Sequence, residues 1–395
     1  YSTVTNKEAV DVLTAIGVIH GNTDGSFGPT GNFTRAQAAT MITYMMLGTT
    51  VADALSAGAT QFNDVPATHW AAKYVQYCAN EGIINGYGDG KFGPDDKLTN
   101  AQWALMLLGA LGYKAQNEQI GGAGWEIKTT SLAIQAGVAS PEDMTGSFNR
   151  DIAAKMAFNT LTSDLVEYAS NGVTINGTDL NVYVGASKAN KIAQGNVANT
   201  MKADYLQFAE RHFPKLVLDN SAVDGMGRTC NKWTLTNQTD AIGTYAKAAN
   251  HTAYVTSTNN TLQKVLNSVN KQFNTSAVTT VNGNVGNVAL SASLNRGDQV
   301  EIYTDKDNAN KVTNIVVTRY TVSKLTADPT TRTSGDNTLV RLPGVAGLSA
   351  FSASNTTKTV IGYNGLKSGD IVLSYKDNNN VYRVEKAESF DGILT

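Results

Sequence analysis

Two stretches of this chain, Val18–Met41 and Ile83–Met106, are copies of one another at an offset of 65 residues. They read VIHGNTDGSFGPTGNFTRAQAATM and IINGYGDGKFGPDDKLTNAQWALM, and 12 of the 24 aligned positions are identical without a gap. A repeat of this length is one supersecondary unit, which buries its apolar face only by stacking on its neighbours. A third, eroded copy ends in Phe148–Leu161 (FNRDIAAKMAFNTL), where Arg150 falls in the position of Arg35.

Each copy has the same order of signals. Apolar residues at three- and four-residue spacing (Ala9, Val12, Leu13, Ile16; then Ala72, Val75, Cys78, Ala79) predict a helix. Asp-Gly and Gly-Pro then break it, with Phe27 and Phe92 inside the turn as candidate core plugs. Asp24 and Asp89, each before glycine, read as turn formers. Thr34 with Gln37, and Thr99 with Gln102, have the spacing of a capping box that opens a second helix, over Ala38–Leu47 and Ala104–Leu111. Arg35 is the first residue inside that helix, where the macrodipole disfavours a cation. A cation beside the unpaired N–H groups of a helix start makes a site for a carboxylate or phosphate, and Arg150 repeats the arrangement.

These motifs resemble the surface-layer homology (SLH) family. The second copy carries its pattern along nearly the whole length: Phe62-Asn63-Asp64-Val65-Pro66, His69-Trp70, Gly82-Ile83-Ile84-Asn85-Gly86, Asp89-Gly90, Phe92, Pro94 and Thr99. The first copy lacks the opening F-x-D and the His-Trp, and the third is the weakest. The resemblance covers about residues 1–168. It implies three repeats (about 1–60, 61–115 and 116–168) in a pseudo-threefold helical bundle. It also implies inter-repeat grooves that hold anionic secondary cell-wall polysaccharide, with Arg35, Arg150, Trp70, Asn100, Gly21 and Gly86 as the polysaccharide-binding residues. Asn100 stands where the other copies have arginine, which weakens that pocket. Trp70 fits either a sugar-stacking aromatic or an anchor for the helix start.

Beyond about Gly172 the chain turns to Val/Thr/Tyr-rich stretches broken by Asn, Gly and Asp. A second duplication appears here, at an offset of 72: Leu294-Asn295-Arg296-Gly297-Asp298 parallels Leu366-Lys367-Ser368-Gly369-Asp370, and an alternating strand follows each. Each copy reads as a β-hairpin with an Asn/Asp-rich tip and a return strand such as Lys311–Tyr320. The expected architecture is therefore multidomain, α then β. A mixed α/β linker domain (169–256), with a helix over Lys202–His212, leads to two β domains (257–325 and 326–395) of sandwich or barrel type.

The functional exclusions come from composition. Formal net charge is −2 and charged residues are 16%, so no basic face marks a nucleic-acid binder. The longest apolar stretch, Ala101–Tyr113, is too short to span a bilayer. The chain begins at Tyr1 without a signal peptide, as a processed secreted protein or a trimmed fragment does. Cys78 and Cys230 fall in different segments, and nothing in the sequence indicates a disulfide. There is no H-E-x-x-H and no G-x-S-x-G, and Gly225 and Gly227 are not followed by the Gly-Lys-Ser/Thr of a phosphate loop. Asp305, Asp307 and Asn310 have the partial spacing of a calcium loop, although a solvated hairpin tip is the simpler reading. The chain is expected to be a non-catalytic, self-associating surface protein held to wall polysaccharide, with no cofactor. The alternative is a wall-anchored enzyme or adhesin whose active part lies in 170–395.

Overall fold

The structure is a computed structural model that describes residues 3–22, 24–168, 171–175, 178–182, 189–195, 204–257, 260–271, 277–286, 289–305 and 308–387. The chain divides into two compact units: Tyr1–Asp219 with Lys232–Gly243, and Asn220–Asn231 with Thr244–Thr395. Of residues 169–256, 169–219 and 232–243 fall in the first unit and 220–231 and 244–256 in the second.

In the first unit the repeats appear as helix pairs: α1 (Lys7–Ala15) with α2 (Arg35–Ala54), α3 (Ala72–Asn80) with α4 (Asn100–Ala110), and α5 (Trp125–Gln135), α6 (Pro141–Thr145) and α7 (Arg150–Leu161) in the third. The first helix of every repeat ends at a glycine with positive φ: Gly17 (74°), Gly82 (69°) and Gly137 (77°). The following N–H groups of Val18, Ile83 and Val138 turn back to the carbonyls of Leu13, Cys78 and Ala133. This is the Schellman geometry, which glycine adopts without a Cβ penalty. The second helices open with reciprocal capping boxes at Thr34/Gln37 and Thr99/Gln102, as the spacing predicted, while Asn149 caps α7 through its side chain alone. Phe27 and Phe92 are buried, and Asp24 and Asp89 accept from the backbone N–H groups of Ser26 and Lys91.

The helix α2 runs farther than expected, because Gly48 (φ 69°) kinks it and lets a further turn form. The carbonyl of Met46 at this kink is bonded by His212 Nδ1 at 2.8 Å, from α8 (Phe208–His212). That helix is shorter than the sequence suggested. Tyr205 and Gln207 instead form extended bridges to Ala193 and Asp164, and residues 202–203 lie outside the described residues. Leu13, Ile42, Met45, Trp103, Leu107, Leu108, Leu111, Met156 and Leu161 are fully buried among the helices. Trp233 is 1% exposed; it donates to Glu8 Oε1 at 2.7 Å and packs edge-on to Phe158. Its side chain explains why residues 232–243 group with the helices. Among the described residues no helix is long and apolar enough to cross a membrane.

The second unit contains one strand arrangement twice. In the first copy, His251–Tyr254, Gln299–Thr304, Val312–Thr318 and Val278–Val281 are successive neighbours, with the short Asn284–Val285 at the edge. In the second copy, Thr321–Lys324, Ile371–Lys376, Tyr382–Lys386 and Val360–Ile361 follow the same order. The last pairing of each set is parallel and the others are antiparallel. Both are mixed sheets, whose first strands begin at His251 and Thr321. The parallel strand escaped the sequence reading because it is short and lies far along the chain from its partner. The repeated turns are built alike. Asp298 Oδ2 accepts Asn295 N and meets Arg319 at 3.3 Å; Asp370 accepts Lys367 N and meets Lys386 at 2.6 Å. The core of the first copy includes Val255, Leu262, Val300, Ile302 and Ile315; that of the second includes Leu325, Val340, Leu342, Val372 and Val384.

Candidate functional site

The second helices meet the turns of other repeats through equivalent positions. Arg35 donates from Nε to the Phe92 carbonyl and from Nη2 to the Asn85 carbonyl, both at 2.7 Å, with its guanidinium over the Tyr87 and Phe92 rings. Arg150 donates from Nε to the Phe27 carbonyl at 2.9 Å and lies over the Phe27 ring. Asn100 donates from Nδ2 to the carbonyls of Asp143 and Gly146. The first repeat therefore holds the second, the second holds the third, and the third holds the first.

The expectation of unpaired N–H groups beside these arginines is corrected. Arg35 N and Ala36 N donate to the carbonyls of Asp96 and Pro94, and Arg150 N and Asp151 N donate to those of Gly31 and Pro29. Those carbonyls sit 65 residues apart in the two turns, so one device is used twice. A helix start already satisfied in this way is not an anion site of its own. Arg35 is only 8% exposed; burial pulls its pKa down, and Tyr87, Asp96 and Asp64 oppose that. Asp64, from the F-x-D motif, fixes the same turn by accepting from Phe92 N and Gly93 N at 2.8 Å.

Two grooves follow from this arrangement. The first, of about 390 Å³, is lined by His20, Gly21, Gln37, Tyr44, Trp70 and Arg150 among others. The second, of about 160 Å³, is lined by Arg35, Ile83, Leu105, Met106, Gly109 and Trp125 among others. Of the residues expected to bind, Arg150, Trp70 and Gly21 come together in the first groove and Arg35 lies in the second. Gly86 and Asn100 line neither. Gly86 is needed where it stands, because a Cβ there would meet the Lys91 carbonyl oxygen at 2.5 Å. Trp70 is 57% exposed and stacks on His69, so it is presented at the surface rather than buried as an anchor.

Sequence reasoning missed Trp125, Tyr44, Tyr74 and His20. Trp125 had a readable signal: it precedes Gly137 by the same distance as Trp70 precedes Gly82. The aromatic network had none. Tyr44 donates to Asp53 at 2.6 Å and lies 3.1 Å from the Tyr74 hydroxyl, with the His20 ring centroid 4.6 Å away.

The family model of the S-layer homology domain matches residues 2–39 and 61–104. Relatives include the middle cell wall protein of Brevibacillus brevis, 28% identical over 169 residues, which cover 43% of this chain and 16% of that protein. The surface layer protein of Brevibacillus choshinensis is 30% identical over 175 residues, covering 44% of this chain and 15% of that protein. This is a surface protein with S-layer homology repeats. The cellulosome-anchoring protein of Acetivibrio thermocellus is 30% identical over 199 residues, covering 47% of the chain and 43% of that relative. The chain thus spans less than half the length of each of these relatives. The matched repeats and the surface-layer relatives indicate a secreted cell-surface protein.

The other candidates lie apart from the S-layer homology repeats. Asp305 accepts from Asn308 N and faces Lys311 at 3.4 Å, while Asn308 Oδ1 accepts from Asn310 N. Asp307 lies outside the described residues. Lys311 supplies the countercharge to Asp305. Cys78 and Cys230 are free and buried, and burial pushes their thiols up to about 12 and about 11. Neither forms thiolate at neutral pH. The Asp224–Arg228 turn is packed inside the second unit: Met226 is 1% exposed against Tyr303 and Val316, and Thr280 Oγ1 donates to its carbonyl.

Proposed function

We propose that the chain is a non-catalytic surface protein whose S-layer homology repeats form a pseudo-threefold bundle anchored to anionic secondary cell-wall polysaccharide. The observation that carries this reading is the pair of grooves, each combining an exposed or half-buried tryptophan with a guanidinium delivered by another repeat. Aromatic faces stack on the apolar faces of sugar rings, and an arginine fork pairs with carboxylates. The name of the cellulosome-anchoring relative fits an anchoring role for the matched segment. The described strands of the second unit contribute display or self-association. Their sheets end in short edge strands, of which Thr321–Lys324 exposes Val322 to 66%.

The test is sedimentation of the whole chain with purified sacculi, comparing wild type with Trp70→Ala/Trp125→Ala. Loss of at least tenfold in apparent affinity with an unchanged melting curve supports groove binding; unchanged sedimentation refutes it. Light scattering at rising concentration tests self-association, and a monomer at every concentration assigns the second unit to display.

A further inference from the structure

The two grooves share a plan but differ in chemistry, and the difference is concentrated in a few aligned positions. His20, Thr40 and Tyr44 in the first become Asn85, Leu105 and Gly109 in the second. The two arginines differ in the same sense. Both nitrogens that Arg35 commits go to carbonyls, and Asp96 and Asp64 compensate its charge. Arg150 uses only Nε; among the described residues its two terminal nitrogens have no hydrogen-bond partner and no carboxylate pairs with it. A half-buried cation without a carboxylate partner among the described residues, beside a groove with hydroxyls and an imidazole, has the donor set that an anion pairs with. The third interface offers neither feature. Lys155 occupies the position of Thr40 and Leu105, and its ammonium closes on Asp143 at 2.6 Å.

We infer that the grooves divide the labour along one polymer: the Arg150 groove takes a carboxylate-bearing sugar, and the Arg35 groove takes a neutral sugar with an apolar substituent such as an N-acetyl group. This rests on the groove-binding reading above and deepens it. Arg150 and His20 are the specificity determinants of the first groove. Leu105, Ile83 and Met106 supply the apolar floor of the second, and Gly109 leaves room where Tyr44 stands in the first. Arg35 acts there as a positioning residue for the turn.

The experiment uses the whole chain and two probes that differ by a lactyl carboxylate, N-acetylmuramic acid and N-acetylglucosamine. The readout is the four indole N–H resonances in NMR. Trp70 and Trp125 report on the grooves. Trp103 and Trp233, whose indoles donate to the Ala153 carbonyl and to Glu8, report on the fold. N-acetylmuramic acid should shift Trp70, and Arg150→Gln should weaken that response about tenfold or more, the scale of one charge-assisted contact. N-acetylglucosamine should shift Trp125 with no effect of Arg150→Gln. Arg150→Lys should restore part of the first response, which keeps the test valid if the glutamine variant is loosened. Equal shifts at both tryptophans with the acidic probe, or a Trp70 response that survives Arg150→Gln while Trp103 and Trp233 are unmoved, would overturn the division. Silence of both probes in a chain that still sediments with sacculi also overturns it. If sedimentation fails as well, the anchoring reading itself is wrong.

Discussion

Arg150 Nε and the carbonyl of Phe27 lie 2.9 Å apart, although 123 residues separate them in the chain. The contact closes the third repeat onto the first, as Arg35 closes the first onto the second. A helical repeat protein normally leaves its ends open. Here each turn borrows a side chain from another repeat, so removing one such side chain weakens an interface rather than a single helix.

Arg35→Ala should therefore act mainly on stability. It removes two hydrogen bonds from a charged donor to the Phe92 and Asn85 carbonyls, at a site only 8% exposed. The expected loss is about 3 kcal/mol, read by chemical denaturation. A loss below about 0.5 kcal/mol would show that the guanidinium is dispensable to the turn.

Lys155→Met should destabilise the third repeat by about 2–3 kcal/mol, because it leaves a buried carboxylate without its cation. Burial pushes the Asp143 pKa up, but Lys155 and Ser140 outweigh it and hold the carboxyl below its ordinary value. The stability so gained is present above the unfolded pKa of 3.8 and is lost as pH falls through the lower folded value. Lys155→Met should flatten that acid limb of the stability curve. An unchanged acid limb in the variant contradicts the pairing.

His212 gives a second pH dependence, in a different window. Burial lowers its pKa from 6.5, with the Met46 carbonyl opposing and Arg211 assisting. The unfolded chain therefore takes up the proton first. Stability is complete above pH 6.5 and declines as pH falls from there toward the folded pKa. Melting curves between about pH 7.5 and about pH 5, which bracket the free imidazole value, should show this decline in wild type and not in His212→Gln. A decline of the same size in both proteins would assign it to another group.

Trp233→Ala should cost about 3–5 kcal/mol, since the side chain is 1% exposed and its indole donates to Glu8. Differential scanning calorimetry of the whole chain should show a lowered transition. An unmoved transition would mean that the Trp233 pocket contributes little to the helical unit.

The repeats, their caps and their buried phenylalanines were legible in the sequence because each is set by residues within one turn of each other. Thr34 and Gln37 are three apart, and Asp24 bonds Ser26. The reach of Arg35 was not legible, because the Asn85 and Phe92 carbonyls that take its guanidinium lie in another repeat, and no local rule shows that the Asp96 and Pro94 carbonyls fill the helix start. The first groove was half legible. Trp70 and Arg150 stood out by motif, whereas Tyr44 and Tyr74 carry no local signal and meet only when the two helices are placed side by side. In the second unit the duplicated Gly-Asp turns gave away the hairpins. The parallel strands Val278–Val281 and Val360–Ile361 were invisible, because parallel pairing leaves no turn signature between neighbours.

The central claim is that the grooves of the helical repeats attach this chain to an acidic polymer of the cell wall. Its most direct test is co-sedimentation of the whole chain with sacculi before and after the wall polymer is stripped with hydrofluoric acid. The account predicts sedimentation with native sacculi, loss of it with stripped sacculi, and competition by the released polymer. Equal sedimentation with native and stripped sacculi would contradict it.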